Sequence, residues 1–92
     1  MTDIDAIQTW LQAQLPQFLD DLQDLVDVAC ATANKAGVNA VSALFRDRLR
    51  AAEFELTEFP LTDYGDCCLA TLRGTGQARI LLLGHLDTVY PD

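Results

Sequence analysis

Hydrophobic positions recur at three- and four-residue spacing through the first half of the chain, then give way to alternation and finally to an unbroken run. Ile4, Ile7, Trp10 and Leu11 share one face of a helix over residues 3–14, with Thr2 or Asp3 available as its N-cap. Leu15-Pro16 predicts a break or a kink, because a helix accommodates proline in its first turn and not in its interior. Phe18, Leu19, Leu22, Leu25, Val26 and Ala29 then line one face of the next helix, and Asp20, Asp21, Asp24 and Asp27 crowd the other, where solvation accounts for them. A calcium site would need a loop with glycine and alternating ligands, which a helix does not provide. Residues 31–39 are small and polar, with Asn34, Gly37 and Asn39 as turn formers. Residues 38–52 predict a further helix that buries Val41, Leu44, Phe45 and Leu49 and turns Arg46, Arg48 and Arg50 mostly outward, where the dipole at a helix C-terminus favours cations.

The second half reads as strands. Residues 54–60 alternate and end on Pro60, as an edge strand does. Residues 62–66 form a loop and residues 67–74 the next strand, after which Gly74-Thr75-Gly76 turns back as a hairpin connection into a third. Two glycines at that spacing, with no helix after them, give only a weak phosphate-loop signal. The third strand, residues 79–83, carries the run Ile80, Leu81, Leu82 and Leu83, too apolar for an exposed edge. It calls for further strands beside it, and the chain made alone is expected to aggregate or dimerise. The resulting class is α/β: two main helices packed on about three strands.

Composition narrows the partners. Half of the 92 residues are hydrophobic, enough for one small folded domain. Six Lys and Arg stand against fourteen Asp and Glu, a formal net charge of −8, and this argues against nucleic acid and against an anionic membrane surface. No apolar run approaches a membrane span and no basic start leads into an apolar core, so the expectation is a soluble cytoplasmic protein. Cys30, Cys67 and Cys68 are odd in number, and neighbours on a strand point to opposite faces, so buried free thiols are expected rather than disulfides. They lack the Cys-x-x-Cys spacing of a zinc site.

Candidate chemistry sits where the apolar run ends. Gly84 is followed by His85, the only histidine, and by Asp87. In an extended chain the two project to the same side, and ligands in open α/β sheets bind beyond the carboxyl ends of the strands. Imidazole is a common zinc ligand, and a nearby carboxylate can hold it in the tautomer that offers one nitrogen to the metal. A lone His-x-Asp at a strand end is nevertheless more often a hydrogen-bonded structural pair, and spacing does not decide between the two.

The stretch Leu82-Leu83-Gly84-His85-Leu86-Asp87-Thr88-Val89-Tyr90-Pro91 resembles the first metal motif of the co-catalytic di-zinc amidohydrolases, which include glutamate carboxypeptidase, aminoacylase, acetylornithine deacetylase and succinyl-diaminopimelate desuccinylase. The likeness runs back through the helices and short strands before the motif. It implies that residues 1–92 form the N-terminal part of a three-layer α/β/α catalytic domain, without the family's second domain. It implies that His85 ligates one of two zinc ions, with cobalt or manganese as alternatives, and that Asp87 orients it in catalysis. The implied substrate is a small peptide or N-acyl amino acid. The family's bridging aspartate, Glu-Glu pair and further ligands lie beyond the motif, so this stretch alone is expected to be inactive. A truncated, non-catalytic remnant or small interaction module is the alternative, and a homo-oligomer is compatible with either. Thr32 falls where the family often has serine or threonine, with no catalytic role attached. Cys67 replaces a common asparagine. Glu53 stands where the family has a helix-ending glycine, so that end is expected to be built differently.

Overall fold

The structure, a computed structural model, describes residues 2–91. Three helices precede two strands: α1 (Asp3–Ala13), α2 (Leu15–Val26), α3 (Lys35–Ala51), β1 (Glu55–Phe59) and β2 (Cys67–Thr71). This is a small mixed α/β arrangement with a two-stranded sheet.

Helix α1 opens on a reciprocal cap. The Asp5 amide donates to Thr2 Oγ1 at 3.1 Å, and the Asp5 carboxylate accepts from the Thr2 amide at 3.3 Å, which satisfies donors that a helix start leaves orphaned. Gln14 ends α1 and also precedes α2 in helical geometry, and the Phe18 amide donates back to its carbonyl at 2.9 Å. Pro16 thus stands in the first turn of a new helix, which follows α1 across Gln14 alone.

Helix α3 begins earlier than the turn-forming residues suggest. Asn34 accepts through its side chain from the Gly37 amide at 2.9 Å, so it caps the helix instead of turning the chain. Gly37 lies inside the first turn because a Cβ there would stand 1.8 Å from the Ala29 carbonyl oxygen. At the other end Glu53 adopts φ 68°. The Phe54 amide reaches the Leu49 carbonyl at 3.0 Å and the Glu53 amide reaches that of Arg50 at 2.9 Å. This is the doubled closure that glycine ordinarily makes, so the helix end is built in the usual way with glutamate in the left-handed position, contrary to expectation.

Strands β1 and β2 pair antiparallel from Glu55 opposite Thr71 to Phe59 opposite Cys67. The loop between them is fastened to α3. The Lys35 ammonium donates to the carbonyls of Leu61 and Tyr64 and pairs with Asp66 at 2.8 Å, while the Asp66 amide donates to Asn39 Oδ1 at 2.8 Å. Gly65 passes so close to α3 that a Cβ would meet Val38 Cγ1 at 2.3 Å.

The expected third strand does not form among the described residues. Tight hairpin turns need positive φ, and neither Gly74 nor Gly76 has it, so the chain does not fold back along β2. Ile80, Leu81, Leu82 and Leu83 stay 77–91% exposed. The core is correspondingly small: Cys30, Val38 and Val41, with Ser42 buried beside them and Leu25, Val28 and Leu86 packed against them. Neither α1 nor α2 buries a residue, contrary to the apolar face read for α2, and Leu44 and Phe45 of α3 remain exposed. Asp21, assigned to solvent by its spacing, pairs with Arg48 across from α2 to α3. All three cysteines are free, but only Cys30 is buried, because the two-stranded sheet leaves Cys67 and Cys68 exposed. No helix among the described residues is long and apolar enough to cross a membrane.

Candidate metal-ligand site at His85

The segment after the apolar run is held to the helical side of the molecule by backbone. Thr88 donates its amide to the Cys30 carbonyl at 2.9 Å, and the Thr32 amide donates to the Thr88 carbonyl at 3.2 Å, forming a parallel bridge between Ala31 and Thr88. Extended geometry then sorts the side chains. Leu86 packs against the core, and His85 and Asp87 meet each other on the other side.

His85 Nδ1 lies 3.0 Å from Asp87 Oδ1 and 2.9 Å from the Asp87 carbonyl oxygen. Both neighbours can only accept, Asp87 being ionised. A neutral imidazole facing two acceptors must carry its proton on Nδ1, and that leaves the lone pair on Nε2. The ring is 81% exposed, against 33% for Asp87. His85 also borders an apolar cleft of about 620 Å³ lined in part by Leu25, Val28, Val41, Phe45 and Leu86.

The second oxygen of Asp87 is also engaged. Thr32 Oγ1 donates to Asp87 Oδ2 at 2.6 Å, in the range of a hydroxyl bonded to a charged acceptor. The Thr88 carbonyl, at 3.4 Å from the same hydroxyl, is the weaker competitor for its single proton. The Thr32 hydroxyl first and the His85 ring second hold the Asp87 carboxyl below the usual aspartate range.

The chain matches no family model, no curated protein and no solved structure.

The fit of this site to a metal can be judged from its donors. His85 offers a lone pair on an accessible nitrogen, with a carboxylate on the other nitrogen, as metal-bound histidines have. A complete centre of this type needs about three protein ligands per ion. Among the described residues no group of three or more His, Cys, Asp and Glu side chains is gathered to supply them. One donor fits, and no chemistry through a metal is derived from it. Sequence reading singled out His85 and Asp87, and the fold brings them together. Thr32, which it left without a role, bonds Asp87 across 55 positions of sequence.

Proposed function

We propose that this chain carries a first-ligand segment of a zinc-dependent exopeptidase or amidohydrolase acting on small peptides or N-acyl amino acids. The observation that carries the reading is the pair of acceptors facing His85 Nδ1, which leaves Nε2 exposed as a donor. The Gly-His-x-Asp-Thr-Val resemblance supplies the metal and the reaction class. In an enzyme of the kind resembled, paired zinc ions would supply Lewis acidity toward a water and an amide carbonyl. In this chain His85 would contribute one ligand and Asp87 would fix its ring.

His85 is the only histidine, so its ring resonances identify themselves. Zinc titrated into the protein is expected to bind weakly, at Nε2, and His85→Ala is expected to abolish that binding. Zinc that leaves the His85 resonances unmoved at millimolar concentration would overturn the reading. The exposure of residues 80–83 favours a second reading, an interaction module without turnover. Zinc-dependent hydrolysis of dipeptides or N-acyl amino acids that is lost in His85→Ala would exclude it.

A further inference from the structure

The bridge between Ala31 and Thr88 places one hydroxyl where neither local sequence nor the functional reading requires it. Thr32 Oγ1 stands 2.6 Å from Asp87 Oδ2, and Asp87 Oδ1 stands 3.0 Å from His85 Nδ1, so three side chains form one continuous line of hydrogen bonds, with the Asp87 carbonyl oxygen at 2.9 Å sharing the Nδ1 proton. We propose that Thr32 is a positioning residue that locks the Asp87 carboxylate so that its other oxygen holds the proton of His85 on Nδ1 and leaves Nε2 free as the ligand atom. The inference rests on the proposed role of His85 in metal binding, but the geometry it describes is a property of the metal-free protein.

Three features make the hydroxyl more than a neighbour. A carboxylate attached through one bond rotates about χ2, because such terminal torsions are broad. A second donor on the far oxygen removes that freedom, and Thr32 is that donor. Its own backbone is fixed, since its amide donates to Thr88 at 3.2 Å while the Thr88 amide donates to Cys30 at 2.9 Å. The β-branched side chain adds stiffness at χ1. Its proton is directed to the carboxylate because the alternative acceptor is both neutral and farther, at 3.4 Å. Carboxylates that orient a metal-bound histidine are themselves commonly hydrogen-bonded, and their partners change metal affinity without touching the metal.

The test reads the tautomer of His85 from its ring ¹⁵N and ¹³C shifts in metal-free protein, at a pH where the ring is neutral. Wild type is expected to be mainly the Nδ1–H form, the opposite of a free histidine in water. Thr32→Val keeps the branched shape and removes the hydroxyl, and is expected to lower the ratio of Nδ1–H to Nε2–H forms at least threefold. Thr32→Ser restores the hydroxyl and is expected to return the wild-type ratio. An unchanged ratio in Thr32→Val, or a wild type already in the Nε2–H form, would overturn the proposal. The wild-type measurement stands even where Thr32→Val fails to fold. Zinc titration of the same proteins keeps the two ideas apart. A correct tautomer in a protein whose His85 ignores zinc sinks the functional reading, and a normal zinc response with a tautomer indifferent to Thr32 sinks this one. If both hold, zinc affinity is expected to fall about tenfold or more in Thr32→Val and to recover in Thr32→Ser.

Discussion

Glu53 is the one non-glycine residue among those described with positive φ. Its left-handed backbone costs an L-residue roughly 1–2 kcal/mol, which glycine would not incur, although glycine loses more chain entropy on folding. Glu53→Gly is therefore expected to raise stability by about 1 kcal/mol, measured as a shift of the denaturant midpoint at unchanged slope. No midpoint shift, or a fall, would mean that the glutamate side chain contributes something its exposed position does not reveal. The same residue shows what sequence could and could not supply. An absent glycine suggested a different helix end, yet Leu49, Arg50 and Phe54 close it in the ordinary way, because two backbone hydrogen bonds offset one strained residue. His85 and Asp87 were legible for a local reason, the alternation of an extended chain. Thr32 was not, because nothing in its own neighbourhood announces a partner so distant in sequence.

Helix α3 and the loop clipped to it belong to the element scale. Asp66 accepts from the Lys35 ammonium and, at 3.0 Å, from the Leu61 amide, and its carboxyl is held below the usual aspartate range by Lys35 first and Leu61 second. A depressed folded value means that the stabilisation is complete well above pH 4, the ordinary value being about 3.9, and is lost as pH falls through the lower folded value. Chemical shifts of the 61–66 loop are therefore expected to move together with Asp66 protonation, at a pH below 4. Asp66→Asn is expected to loosen the loop at neutral pH and to remove that transition; a transition that persists in the variant would assign it to another carboxylate. Helices were legible by their period. The start of α3 was not, because Asn34 and Gly37 have the composition of a turn and only contact with Ala29 shows them to be a cap and a close approach. The strand over residues 79–83 was read from hydrophobicity, but a strand exists only beside another one, and among the described residues none lies beside it.

At the scale of the whole molecule, the radius of gyration is 15.6 Å, whereas a compact chain of this length has about 12 Å. Three small side chains make the buried hydrophobic core, and Ile80, Leu81, Leu82 and Leu83 project into solvent with others from α1 and α2. Exposed apolar surface of this kind drives association, and the net charge of −8 opposes it. Sedimentation is expected to show self-association that grows with salt, and Leu82→Lys is expected to reduce it. A wild-type chain that stays monomeric at high concentration and high salt would mean that these side chains are covered in solution.

The bridge from Thr88 to the connection between α2 and α3 separates two tasks that share one stretch of chain. Asp87 and His85 take their seats from residues 30–32, not from whatever pairs with residues 80–83. The apolar run leads from a two-stranded sheet that it does not join to a point fixed by backbone hydrogen bonds, and the imidazole takes its bearing from that point. The line from Thr32 through Asp87 to His85 is thus complete in a chain whose apolar run has no strand beside it among the described residues.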